Sequence, residues 1–551
     1  MKKSTLIMMI CLMTVALLTS ACKSKKQSEI ATEPEKSEMQ RNVEEFAYFD
    51  LKSDLIAGLS DNDKKLLSIF IDIADIMDDL FWKQTFGDKN ILDTISDPYT
   101  KDYAMIHYGP WDRLREDKPF VAGYGERPLG ACYYPQDITK EEFDAFQDKD
   151  KNSLYTVIRR NDDGTLKTVW YKDEYKEELT KVCALLDSAI AITDNAGLKK
   201  YLEERKKAFE TDNYYASDVA WMDMKDNVID FVVGPIENYD DKLNEAKASY
   251  EAFILVKDVE RSNELAKFVT MLPALQKELP CEPEYKTFVP GTSYDLNVYD
   301  AVYYAGDCNA GSKTIAINLP NDDRIHEEKG TRRLQLRNSM LAKFDKIMMP
   351  IGELVITPDQ LSHLKFDAFF WNVMFHEVGH GLGVKKTING KGTVDEAMGT
   401  ERTTWEEAKA DILGLFLVCN LIDKGEITTI TKEDAITTYI AGIFRSVRFG
   451  AGESHGKANM MCFNFMREKG AFTRDANGIY TIDYDKATEA MNEWAALILK
   501  TQATGDLEFA TQFRQSHASV AAEMQEDLNR INEAGIPRDI RFNQGKKVLG
   551  L

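Results

Sequence analysis

The sequence predicts an α+β chain built as two lobes, and three observations carry that expectation. At 551 residues the chain is too long to bury itself around one ordinary core. Apolar strand-like segments gather in its middle, at Val228 to Pro235 (VIDFVVGP), Ala252 to Val256 (AFILV), Val298 to Tyr304 and Thr314 to Asn318, where a sheet or small barrel is expected. From Gln360 onward the pattern is almost wholly helical, broken by a Gly-, Thr- and Asn-rich loop from Lys385 to Thr403.

Taken in order, the chain begins with Lys2 and Lys3 ahead of the apolar run LIMMICLMTVALL, which ends in small residues before Cys22. That layout is a signal peptide rather than a spanning helix. Leu18-Thr19-Ser20-Ala21-Cys22 resembles a bacterial lipoprotein box. The box implies lipidation of Cys22 and an exported chain, anchored to a membrane and facing the periplasm or cell exterior. Residues 23–41 are polar and interrupted by Pro34, the composition of a flexible tether. Asp61 to Phe86 places Leu66, Phe70, Ile73 and Met77 on one face, an amphipathic helix capped by Asp61 or Asn62. Gly, Pro and aromatic residues mark Tyr108 to Tyr134 as ordered loop, and helical periodicity resumes at 139–146 and 171–209.

Composition narrows the function. With 44% hydrophobic and 29% charged residues the chain reads as an ordinary globular protein, and its formal charge of −22 argues against nucleic acid as a partner. Cys132, Cys183, Cys281, Cys308, Cys419 and Cys462 form no CxxC pair, so neither a cysteine metal site nor a thioredoxin motif is supported; most are expected to be buried.

His376-Glu377-Val378-Gly379-His380 closes the apolar stretch FDAFFWNVMFHEVGH. Residues four apart share a helix face, so His376 and His380 can hold one zinc ion while Glu377 takes a proton from the water that attacks a peptide carbonyl. A third ligand is needed, and the acidic start of the next helix, TWEEAKAD at 404–411, offers Glu406 and Glu407. Thr403 with Glu406 and Thr404 with Glu407 both fit a capping box, so capping does not separate them. Glu407 is preferred as the ligand because Asp411 follows it on the same face, where it can receive the free N–H of a ligating imidazole. Glu406 has only Ala410 at that spacing.

These motifs resemble peptidase family M49, the dipeptidyl peptidase III family. Its HExxGH and EExRAE/D motifs are matched by HEVGH at 376–380 and EEAKAD at 406–411, and its GHGSG by GHGLG. AGDCNAGSKTIAINLPNDD resembles its N-I-P-N-Y-D-D segment, and Val233 to Tyr239 its IGPIESY-like segment. The resemblance implies that Glu237, Asn318 and Asn321 hold a substrate's free amino terminus, and that Tyr239 binds the scissile carbonyl. It also implies that His455, in SHGKA, stabilises the transition state. Carboxylate and amide acceptors suit an ammonium group on physical grounds as well. The chain departs from the pattern by one residue fewer between the histidines, by Lys409 for arginine, by Asp322 for tyrosine, and by Asn459 where arginine is common.

The implied fold is two lobes around a cleft, a helical zinc-bearing lobe and a mixed α/β lobe with a small β-barrel. The expected division is a leader at 1–22, a tether at 23–41, the mixed lobe at 42–258, and part of the helical lobe at 259–301. A return to the mixed lobe with a substrate-binding loop follows at 302–345, then the helical zinc lobe at 346–529 and a C-terminal segment at 530–551. The expected function is hydrolysis of short peptides, with dipeptides released from free N-termini. An aminopeptidase or endopeptidase of the same chemistry, or a non-catalytic peptide-binding lipoprotein, are the alternatives.

Overall fold

A computed structural model describes residues 36–290, 295–448 and 450–551. The leader, with Cys22, and the tether up to residue 35 lie outside the described residues. The end of the expected tether is helical, because Ser37 accepts a hydrogen bond from Gln40 N and caps the helix Glu38–Glu44.

In the mixed lobe the helix Asp61–Thr85 buries Leu66, Phe70, Ile73 and Met77 as the spacing predicts. Its cap is Ser60 rather than Asp61 or Asn62: Ser60 and Asp63 exchange hydrogen bonds in a capping box. This helix lies across a five-stranded sheet, with Phe70 stacked on Phe231 at 4.2 Å between ring centroids. The strand order is Ile229–Pro235, Tyr250–Lys257, Asp295–Gly306, Arg332–Leu336, Ala316–Leu319. Among the described residues no sheet closes, so the expected small barrel is replaced by an open mixed sheet. The physical reason is coverage: every residue of Ile229–Pro235 is buried, as in sheets packed on both faces, and nothing drives the two edges together.

The helical lobe forms a second core. Phe268 of the helix Val259–Glu278 meets Trp371 and Phe375 edge-on at 5.6 and 5.5 Å. Strand Asp295–Gly306 joins the cores, with Leu296 and Val298 in the helical one and Tyr299 to Ala305 contributing to the other. The chain ends also meet, since Phe46–Asp50 pairs in parallel with Asp539–Asn543. Cys132, Cys183, Cys281, Cys308, Cys419 and Cys462 are free thiols, the last three buried. Among the described residues no helix is long and apolar enough to cross a membrane.

Candidate functional site

The helix Phe366–Gly379 is apolar on nearly every side, which makes it a central element of its lobe. It crosses the helix Arg402–Asp423 closely because both are glycine at the contact. A Cβ on Gly414 would lie 2.7 Å from His376 N, and one on Gly379 would lie 2.9 Å from Ala410 O. His380 follows as the C-cap with helical backbone angles of −57° and −34°. The two histidines therefore keep regular four-residue spacing without helix distortion.

Across that crossing, ligand-capable atoms of His376, His380 and Glu407 all lie within 4.8 Å of one another. Glu407 Oε2 is 3.5 Å from His376 Nε2, 3.9 Å from His380 Nε2 and 3.1 Å from His455 Nδ1. It is buried, with no properly oriented hydrogen bond. The far nitrogens are fixed by carboxylates: His376 Nδ1 is 2.6 Å from Asp411 and His380 Nδ1 3.0 Å from Glu406. This is the support a metal-binding imidazole needs, and it turns both Nε2 atoms towards Glu407. An orphaned carboxylate oxygen facing two oriented imidazoles fits a divalent, nitrogen- and oxygen-liganded ion such as zinc.

The surroundings are strongly acidic. Burial opposes protonation of His376, but Asp411, then Glu377 and Glu407, lift it to about 9. Burial works against ionisation of Glu406, yet Lys409 and His380 hold it well below the usual carboxylate range. Lys409 Nζ reaches Glu406 at 2.8 Å and Leu382 O at 3.1 Å. Glu407 is lowered against burial, chiefly by His455. His455 lies in the first turn of the helix Ser454–Glu468, where Asn459 bonds both Asp411 (3.0 Å) and His455 O (2.9 Å).

Motif reading missed several of these contacts. Glu406 is not spent on capping, because the helix already begins at Arg402; it supports His380 as Asp411 supports His376. Arg333 donates to Glu377 O at 2.7 Å, linking the sheet to the HEVGH helix. No local pattern signals that contact, although Arg333 lies opposite Asn318 in the antiparallel pair.

Glu377, His376, Asp411, His455 and Asn459 line a cleft of about 1340 Å³ whose other wall comes from the mixed lobe. Glu237, Tyr239 and Asn318 line a neighbouring cavity of about 320 Å³ that shares Thr314 and Ala316 with the cleft. Asn321 and Tyr239 hydrogen-bond the Glu237 carboxyl, whose pKa is raised by burial despite them. The structure thus brings Glu237, Tyr239 and Asn321 together and places Asn318 in the same cavity as the first two. This cavity adjoins the cleft that His376 and Glu377 line. Asp322, in the family's tyrosine position, caps the helix Asp323–Lys329 and pairs with Arg324 at 2.5 Å.

The chain is similar over most of its length to known proteins. The family model "Peptidase family M49" matches residues 148–404. The structure of DPP III from Caldithrix abyssi is 37% identical with a TM-score of 0.88, covering 92% of this chain and 99% of that one. Dipeptidyl-peptidase III from Corallococcus sp. strain EGB is 34% identical with a TM-score of 0.77, covering 92% and 96%. A curated relative, "Nudix hydrolase 3" of Arabidopsis thaliana, is 30% identical over 583 residues, 94% of this chain and 75% of its own length. With fold, identity and coverage in accord, the chain belongs to peptidase family M49 and is a peptidase.

Proposed function

We propose that the protein is a zinc-dependent dipeptidyl peptidase acting on short peptides with free N-termini. The observation that carries this reading is the Glu237 cavity, which adjoins the cleft lined by His376 and Glu377 through Thr314 and Ala316. His376, His380 and Glu407 would hold the zinc, which would supply Lewis acidity to a bound carbonyl and water. Glu377, lining the cleft, accepts the proton of the attacking water and returns it to the leaving amine. His455 is positioned beside Glu407 to stabilise the developing oxyanion.

Glu237 takes the substrate's ammonium, with Asn318 beside it. Asn321 donates to Glu237 and to Ile236 O at 3.4 Å, which leaves its carbonyl oxygen as a further ammonium acceptor. Tyr239 is 75% exposed and bonds Glu237; an incoming ammonium releases its hydroxyl to the scissile carbonyl.

Mass spectrometry of products from matched free and N-acetylated peptides tests the proposal, with Glu377→Gln as the inactive control. Dipeptides are expected from free peptides only. Single residues from the free N-terminus would make it an aminopeptidase, and equal cleavage of blocked peptides an endopeptidase. We also propose that Cys22 is lipidated and anchors the exported chain. Cys22→Ala is expected to move the protein from the membrane to the soluble fraction, and unchanged fractionation rejects the anchor.

A further inference from the structure

The large cleft is lined by cations from both lobes, most of them held by a partner. Arg113 and Arg127 bind Asp240 at 2.7 and 2.6 Å, Lys242 binds Asp117 at 2.5 Å, and Lys343 binds Asp539 at 3.0 Å. Lys313 donates to the carbonyls of Asn309 and Gly311. Arg445, on the helix Lys432–Val447, differs. Its Nε is buried without a hydrogen-bond partner, its guanidinium lies 5.6 Å from the centre of the Phe369 ring, and Asp539 and Asp411 act on it through space.

The two acids that act on Arg445 through space are held by other groups. Asp539 is held by Lys343 and Ser312, and Asp411 by His376 and Asn459. Lys343 adds a second positive charge next to Arg445. Arg445 is half-buried, and an arginine does not escape a missing direct partner by losing its proton. The same helix presents Gly442, Arg445 and Ser446 to the cleft. No carboxylate forms a direct ion pair with Arg445 among the described residues, and a guanidinium fork matches a planar carboxylate.

We propose that Arg445 anchors the C-terminal carboxylate of a short peptide substrate. The assignment rests on the reading of the protein as a peptidase of free N-termini. It adds recognition of the substrate's far end, so that both termini of a short peptide are held.

Steady-state kinetics on one short peptide in three forms tests it: the free acid, the C-terminal amide, and an amide ending in glutamate, whose only carboxylate is a side chain. The amide is expected to show a KM about tenfold above the free acid, with kcat within about twofold. Arg445→Gln should raise the free-acid KM to the amide level and leave the amide unchanged, and Arg445→Lys should recover part of the difference. Equal KM for acid and amide in the unmodified protein overturns the proposal, as does a parallel rise for both in Arg445→Gln. If the glutamate amide matches the free acid, Arg445 reads a side chain and the proposal also fails. Should Arg445→Gln not fold, the acid and amide comparison in the unmodified protein and Arg445→Lys still decide. Absence of turnover would count against the peptidase reading alone. Calorimetric binding of the acid and amide to Glu377→Gln then judges the anchor, equal affinities rejecting it.

Discussion

Glu406 and Glu407 are neighbours of identical chemistry, yet a helix turns about 100° per residue and sends them to different atoms. Glu407 faces the two Nε2 nitrogens, and Glu406 meets His380 Nδ1 while Lys409 keeps it ionised. Removing charge from Glu406 therefore loosens a ligand without deleting one. Glu406→Gln is expected to weaken zinc binding about 10- to 100-fold in chelator competition, with near-normal kcat once saturated. His455→Gln should do the reverse, keeping one zinc per chain and lowering kcat about 10²-fold; loss of zinc with it would make His455 a ligand. Spacing made the grouping of His376, His380 and Glu407 legible, because i to i+4 neighbours are fixed by helix geometry. The partner of Glu406 was not legible, since it depends on how two helices cross.

At the scale of elements, that crossing is set by Gly379 and Gly414, which motif reading passes over as spacers. The sheet shows a similar limit. Apolar alternation located its strands, but closure depends on which edges pair, and residues far apart in sequence decide that. Another element carries a pH-dependent weakness. The helix Ala196–Thr211 ends on Asp212 at φ 56°, with the carboxyl accepting from Lys172 N at 2.9 Å and Oδ1 buried without a partner. Burial pushes its pKa from 3.8 up to about 7. The folded state thus holds this proton more tightly than the unfolded chain, so stability falls as pH rises from about 4 to 7 and the full cost persists above. Asparagine tolerates the left-handed backbone and keeps the acceptor. Asp212→Asn should raise Tm by about 2–5 °C at pH 8 and hardly at all at pH 4; equal melting temperatures at pH 8 reject the account.

For the whole molecule, the cavity around Glu237 and the cleft lined by His376 and Glu377 share Thr314 and Ala316. We predict that binding a peptide across these two regions draws the lobes together. An uncleaved peptide analogue is expected to reduce the radius of gyration in solution scattering, and superimposable profiles exclude the motion. The two-lobed plan was legible from length and from the separation of strand-rich and helix-rich sequence. The links between lobes were not, because Arg333 and strand Asp295–Gly306 carry no local mark of spanning two cores. The pairing of Phe46–Asp50 with Asp539–Asn543 has a consequence in time as well as space. The ribosome adds about 5–20 residues per second, so the first of these strands waits tens of seconds for its neighbour to be made. A nascent chain halted before Asp539 carries an unmatched strand edge near its start, a recognisable flag for the chaperones and proteases that sort unfinished proteins.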